Sequence, residues 1–219
     1  MRVTAADGHE FEVFDADPGG AGATIVVVQE IFGVNPHIRS VVERFAALGY
    51  RAVAPALFDR VESGVELDYD GDGVVAGRAL ADRIKWEPAM LDIGATVDEV
   101  TGTGAVGVVG FCFGGSLAWR SAHELPIDAA VGYYGGQVGE MIDLRPHVPT
   151  MLHFGELDHA IPLDDVAAIA AAHPSVPVHV YAGAQHGFHC DARGSFDPVS
   201  AAIAFGRTVE FLVAAGVRP

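Results

Sequence analysis

Three residues of this chain have the types and the order that suit nucleophilic catalysis: Cys112, Asp158 and His186. Cys112 is the central residue of G-F-C-F-G at 110–114, which fits the G-x-C-x-G form of a turn that presents a nucleophile. In such a group the histidine takes the thiol proton and later protonates the leaving group. The acid fixes the tautomer of the histidine and stabilises the imidazolium. We therefore predict a catalytic thiol that is activated by a histidine and an aspartate.

Each member of this group has an ordinary alternative. The G-x-C-x-G pattern is short in a chain with 27 glycines, and an unpaired cysteine is often an inert core residue. His186 is one of 10 histidines, and Glu156 competes with Asp158 for the role of the acid. The order nucleophile, acid, histidine, with each residue following a predicted strand, favours the catalytic interpretation.

Apolar periodicity divides the chain into alternating strands and helices. An uncharged, β-branched run at 105–109 predicts a buried strand before the cysteine, and the pattern at 116–125 predicts a helix after it. This alternation is typical of an α/β fold, with a mostly parallel central sheet and helices on both faces. No repeat or linker interrupts it, so we predict that residues 1–219 form a single domain. Further strands are predicted at 24–29, 51–54, 128–134, 150–154 and 176–181, with an edge strand at 9–14, and further helices at 36–48, 74–85, 88–100, 163–172 and 198–215.

The predicted strands also indicate where a ligand would bind. Sheets of this kind bind ligands at the carboxyl ends of their strands, and the three residues of the catalytic group all follow strands. The N-terminus of the helix after Cys112 would favour a thiolate there. An oxyanion on the substrate would be bound by the backbone N–H of Phe113 and by that of Ile31, which follows the strand at 24–29.

The composition narrows the possible partners. With a net charge of −16, the chain is expected to bind neither nucleic acid nor an anionic membrane, and a substrate carboxylate would need nearby arginines. We find no apolar stretch of about 18 residues and no apolar signal region near the N-terminus. Two cysteines, Cys112 and Cys190, form no disulfide framework, which favours a reducing cytoplasm. The expected partner is a small-molecule substrate, and the chain is expected to be a monomer or a weak homo-oligomer.

An acidic stretch at 68–73 begins like a calcium-binding loop, with Asp68, Asp70 and Asp72 before Gly73. The twelfth position of such a loop is Ala79, where a glutamate is needed, so an acidic surface loop is the better interpretation. The histidines share no recognisable metal-ligand spacing. We therefore predict neither a metal site nor a cofactor.

Several segments are similar to those of one known family. They are Q-E-I-F-G-V-N at 29–35, G-F-C-F-G-G at 110–115, A-V-G-Y-Y-G at 130–135 and H-G-F at 186–188, together with the segment around Asp158. These motifs resemble the dienelactone hydrolase family, the carboxymethylenebutenolidases, over nearly the whole chain. The resemblance implies an α/β-hydrolase fold, a Cys–His–Asp triad and the opening of an unsaturated lactone that carries a carboxylate.

The resemblance also implies further site residues. Glu30 would contact the nucleophilic thiol in the resting enzyme and move away when a ligand binds, although it could instead cap the following helix. Two arginines would bind the substrate carboxylate: Arg193 and either Arg78 or Arg83. Each of them could also be a solvated surface charge. The remaining candidates are pocket-lining aromatics that could equally be core residues: Phe32, Trp86 and Tyr134.

The expected function is therefore that of a cysteine-dependent hydrolase of a small lactone or ester, with a carboxylate on the substrate. One alternative is a broad carboxylesterase or thioesterase that uses the same triad. The other is a non-catalytic protein that keeps the fold and binds a small molecule.

Overall fold

The structure, a computed structural model, describes residues 1–219 apart from the side chain of residue 103. Its strands form one eight-stranded sheet with the order β1-β2-β4-β3-β5-β6-β7-β8. The pairs β1–β2 and β2–β4 are antiparallel, and all pairs from β4 to β8 are parallel. The strands are β1 (Arg2–Thr4), β2 (Glu10–Ala16), β3 (Ala23–Val28), β4 (Arg51–Pro55), β5 (Ala105–Phe111), β6 (Ala129–Tyr133), β7 (Thr150–Gly155) and β8 (Val178–Tyr181).

Helices cover both faces of this sheet. The α-helices are α1 (Pro36–Ala47), α2 (Gly71–Ile84), α3 (Trp86–Val100), α4 (Phe113–Glu124), α5 (Leu163–Ala172) and α6 (Pro198–Ala214). Ile25 and Val27 of β3 pack in a core with residues of α1, α5 and α6. Val26 and Val28, which point the other way, pack in a second core with residues of α2, α3 and α4. The predicted α/β class, with its mostly parallel sheet, is confirmed.

One predicted strand has a different place in the sheet and one predicted helix begins earlier than expected, while the ends of most other elements differ from the prediction by one to three residues. The strand predicted at 9–14 is not at the edge, because the three-residue strand β1 pairs with its outer side. Helix α2 begins at Gly71 and not at residue 74, because the side chain of Asp70 accepts a hydrogen bond from the N–H of Gly73 at 2.8 Å. The acidic stretch at 68–73 therefore forms the N-terminal cap of a helix.

Among the described residues, none of the helices combines the length and the apolar character that crossing a bilayer requires.

The role of Asp70 as the N-terminal cap of α2 can be tested by mutation. Asp70→Ala should lower the free energy of unfolding by about 1 kcal/mol, because the N–H of Gly73 loses its acceptor. Urea denaturation measures the change. Asp68→Ala, at an exposed position of the same loop, is the matched control and should change stability by less than about 0.5 kcal/mol. Equal losses in the two variants would contradict the cap.

Candidate active site

The candidate nucleophile lies on a sharp turn between β5 and α4. Cys112 has φ 54° and ψ −112°, a backbone conformation that residues with a side chain rarely adopt. Its N–H donates to the carbonyl oxygen of Tyr133 at 2.9 Å, which ties the turn to the end of β6. A Cβ on Gly110 would collide with the carbonyl oxygen of Gly114, and a Cβ on Gly114 would collide with that of Val28. Both glycines are therefore needed for strand and helix to approach so closely.

The structure brings the three residues of the predicted catalytic group into one hydrogen-bonded row. Nε2 of His186 lies 3.1 Å from Sγ of Cys112, and Nδ1 of His186 lies 2.7 Å from Oδ2 of Asp158. Asp158 is buried, and its other oxygen accepts a backbone N–H at 2.9 Å. Glu156, the alternative acid, instead accepts the N–H of Gly183 at 2.8 Å. The geometry thus allows a proton to pass from the thiol to the imidazole.

The charges around His186 favour its protonated form. Burial alone lowers the pKa of His186, but the negative charge at Cys112 and the hydrogen bond to Asp158 outweigh it and raise that pKa to about 10. Helix α4 begins at Phe113, directly after the cysteine, so the positive end of the helix also lies next to the sulfur. The site therefore suits a thiolate beside an imidazolium.

The loop that carries His186 is fixed to the end of β7. The N–H of Leu157 donates to the carbonyl oxygen of Ala184 at 2.8 Å, and Gly155 leaves no room for a Cβ against the same carbonyl. On the other side, Oγ of Ser195 donates to the carbonyl oxygen of His186 at 2.7 Å. These contacts hold the imidazole at its distance from the sulfur without any covalent constraint.

A cavity of about 350 Å³ opens beside the sulfur, and both residues of the predicted oxyanion site line it with Cys112. The N–H of Phe113 is the first of α4, so it has no acceptor within that helix. Helix α2 lies directly against Ile31, because a Cβ on Gly77 would collide with the carbonyl oxygen of Ile31. The two predicted N–H donors therefore belong to segments that neighbouring helices hold in position.

Glu30 does not contact the thiol in this structure. Its side chain is buried, Oε2 accepts the hydroxyl of Tyr69 at 2.7 Å, and Oε1 lies 3.4 Å from Nη1 of Arg193. Burial and the charge of Glu30 raise the pKa of Tyr69, so that hydroxyl remains a donor. The resemblance implies a contact between Glu30 and Cys112, but in this structure Cys112 contacts His186 instead. In this conformation the thiol therefore already lies against its base, and Glu30 does not have to move first.

The arginines differ in their positions. Arg193 lines the cavity, and its guanidinium lies 5.6 Å from the ring centre of Phe32 and 5.5 Å from that of Tyr69. Burial lowers the pKa of Arg193, but Glu30, Tyr134, Cys112 and Cys190 together more than offset this and raise it, so the guanidinium stays charged. Arg78 lines the same cavity, whereas Arg83 lines a separate groove. Of the two alternatives left open by the sequence, the structure therefore favours Arg78.

The three predicted aromatics occupy different places. Phe32 lines the cavity. Trp86 packs 5.6 Å from the ring of Phe113 and lines an adjoining groove. Tyr134 is fully buried behind the site, with its ring 5.1 Å from that of His186 and a φ of 39°. Tyr134 is therefore a supporting residue and Trp86 a rim residue, and neither lines the cavity as predicted.

Sequence reasoning missed Tyr69. This residue lies in the acidic stretch before α2, far in sequence from every motif, yet its hydroxyl contacts Glu30 and its ring packs 4.4 Å from that of Phe32. Its aromatic character within an otherwise acidic and glycine-rich loop is the one signal that distinguishes it.

Comparisons with known proteins show the family and the fold of this chain. The model of the dienelactone hydrolase family matches residues 11–216. A carboxymethylenebutenolidase from Pseudomonas putida is 33% identical over 223 residues, covering 97% of this chain and 94% of the relative. One from Pseudomonas sp. strain P51 is 34% identical over 224 residues, covering 97% and 93%. The crystal structure of a candidate dienelactone hydrolase from Klebsiella pneumoniae, 24% identical, has a TM-score of 0.82 over 97% of both chains, which shows a shared fold.

The charge state of His186 can be tested by titration. The imidazole should titrate with a midpoint of about 10 in NMR spectra, and Cys112→Ala should lower that midpoint because the negative partner is lost. Because the folded-state pKa lies above the unfolded value, this proton contributes stability that is complete below about pH 6.5 and is lost as the pH rises through about 10. The difference in unfolding free energy between the parent and His186→Gln should therefore shrink over that range. A midpoint near 6.5 in both the parent and Cys112→Ala would contradict the thiolate–imidazolium pair.

Proposed function

The chain belongs to the dienelactone hydrolase family and is a hydrolase of small esters or lactones, and from this premise we propose that Cys112 is its nucleophile. One observation carries the proposal: Sγ of Cys112 lies 3.1 Å from Nε2 of His186, whose Nδ1 lies 2.7 Å from Asp158. This is the arrangement in which a nucleophile, a base and an orienting acid act together.

In the first step the thiolate attacks the carbonyl carbon of the ester or lactone, and the carbonyl electrons move onto oxygen. The resulting oxyanion accepts hydrogen bonds from the N–H groups of Phe113 and Ile31, two residues that line the cavity beside the sulfur. The bond between the carbonyl carbon and the leaving oxygen then breaks. His186 donates its proton to that oxygen, which leaves a thioester on Cys112. In a lactone the new hydroxyl stays attached to the acyl group.

In the second step water replaces the leaving group. His186, now neutral, takes a proton from the water as it attacks the thioester carbonyl. The bond to sulfur breaks, the acid leaves, and the thiolate and imidazolium are restored. Throughout, Asp158 accepts hydrogen bonds from Nδ1 of His186 and from a backbone N–H, and so keeps the imidazole in its orientation.

We further propose that the preferred substrate carries a carboxylate, which Arg193 binds. The chain has a net charge of −16, so an anionic substrate needs a local cation, and the charged guanidinium of Arg193 lies in the cavity lining. Glu30 and the ring of Phe32 hold this guanidinium on two sides. Asp82, four residues after Arg78 on α2, lines the same cavity, and its negative charge weakens the positive field of the Arg78 guanidinium. Arg193 is therefore the principal carboxylate ligand and Arg78 the secondary one.

The acyl-enzyme has a direct kinetic test. Mixing p-nitrophenyl acetate with the parent should give a burst of nitrophenol of about one equivalent per chain, because acylation precedes slower deacylation. Cys112→Ala should lose the burst and about 10⁴-fold or more of the steady-state rate, since its nucleophile is gone. Cys190→Ala is the matched control, because it removes the other cysteine of the chain and should keep the burst. A burst that survives in Cys112→Ala would overturn the assignment.

The substrate class is tested with a matched pair of esters that differ only in a carboxylate. Arg193→Gln should reduce kcat/KM for the carboxylate ester by roughly 10-fold to 100-fold, the range expected for a lost charge-assisted hydrogen bond, and leave the neutral ester nearly unchanged. Arg78→Gln should have a smaller effect of the same kind. Arg83→Gln, an exposed arginine at the end of α2 outside the cavity, is the control. Equal losses for both esters would instead favour a broad carboxylesterase or thioesterase.

A further inference from the structure

A second group of reactive side chains lies behind the catalytic residues. A carboxylate oxygen of Glu30, a ring nitrogen of His37 and Sγ of Cys190 all lie within 4.8 Å of one another. All three residues are buried, and the side chain of His37 is fully inaccessible. They come from the end of β3, the first turn of α1 and the loop after His186, so only the fold brings them together.

The hydrogen bonds of His37 leave one nitrogen available. Nδ1 lies 3.0 Å from Oδ1 of Asp191, and Oδ2 of Asp191 pairs with Arg44 at 2.5 Å. A carboxylate only accepts hydrogen bonds, so Nδ1 donates to Asp191, and in the neutral imidazole it is then Nε2 that carries the lone pair. Nε2 is buried and has no hydrogen-bonding partner among the described residues. A carboxylate on the far nitrogen is the usual support of a histidine that binds a metal.

The catalytic mechanism does not account for this group. Neither His37 nor Cys190 lies in the row formed by Cys112, His186 and Asp158. An unpaired polar atom is uncommon in a folded interior, and buried Nε2 of His37, a member of this group, indicates that a polar ligand binds there.

We propose that Glu30, His37 and Cys190 form a binding site for a thiophilic divalent cation of the zinc class. Thiolate, imidazole and carboxylate are the three ligand types that zinc binds, with water in the fourth position. Once Cys190 has lost its proton, the charges of Glu30 and Cys190 together neutralise a dication in a buried site. On binding, the metal–sulfur bond forms as the thiol of Cys190 releases its proton to solvent.

The two side chains that already contact Glu30 leave room for a metal ion on its carboxylate. Tyr69 donates to Oε2 and Arg193 lies 3.4 Å from Oε1, but each carboxylate oxygen has a second lone pair. Glu30 can therefore bind a metal while it keeps one of these partners.

Cobalt binding in Cys112→Ser gives a specific test. The chain has two cysteines, so in this variant any absorption from thiolate-to-cobalt charge transfer must come from Cys190. We expect about one bound cobalt ion per chain with such a band, and its displacement by zinc. Both Cys190→Ser and His37→Gln, placed in the same background, should lose the band. Asp191→Asn should weaken cobalt affinity by about 10-fold to 100-fold, because it supports His37 from outside the site.

A second preparation, made from the parent chain, keeps the test valid if Cys112→Ser does not fold. Iodoacetamide should block the partly accessible Cys112 of the parent and spare the buried Cys190, which gives the same single-thiol chain. If neither preparation shows a charge-transfer band while circular dichroism shows a folded chain, the site does not exist. A band that persists after Cys190→Ser, or one that His37→Gln leaves unchanged, would equally overturn the proposed ligand set. The activity of the triad plays no part in these readouts.

Discussion

The structure depends on the close contact between the turn at Cys112 and the strands beside it. Gly110 lies against the carbonyl of Gly114, and Gly114 lies against the carbonyls of Val28 and Gln29, where no side chain fits. The N–H of Gly114 donates to the carbonyl oxygen of Gln29 at 3.0 Å, so the start of α4 is bonded to the end of β3. A conformation at Cys112 that costs of order 1–3 kcal/mol persists because these contacts determine it from both sides.

This contact also brings the predicted oxyanion donors and the buried charge of Glu30 together. The start of α4 is hydrogen-bonded to the residue after β3. The N–H of Phe113 and the segment that begins at Glu30 therefore lie at the same edge of the sheet, where these strands end. The carboxylate of Glu30 is buried there, and a buried charge is costly unless it is hydrogen-bonded. Tyr69 and Arg193 donate the hydrogen bonds that it accepts. Through these contacts Glu30 holds the acidic loop, which carries Tyr69, and the loop after His186, which carries Arg193, next to the site.

The sequence predicts the parts of this molecule that local patterns determine. The central sheet and the turn at Cys112 could be predicted from the strand at 105–109, from the glycines around Cys112 and from the order of the three predicted catalytic residues. Steric demands at that turn restrict which residues fit there. The sequence does not predict β1, whose three residues are too short for a periodic signal. Nor does it reveal that Tyr69 contacts Glu30 or that Cys190 approaches His37. Those pairs are 39 and 153 positions apart, and tertiary packing alone determines them.

Glu30 lies between two groups that sequence patterns treat as unrelated. On one side it contacts Arg193, which lines the cavity beside Cys112, and on the other a carboxylate oxygen lies within 4.8 Å of ligand atoms of His37 and Cys190. A cation at the second group would neutralise part of the charge of Glu30 and so leave more of the charge of Arg193 for a substrate anion. By thermodynamic linkage, an anion on Arg193 would strengthen cation binding by the same factor. The coupling needs no movement of the sheet, because one shared carboxylate carries it.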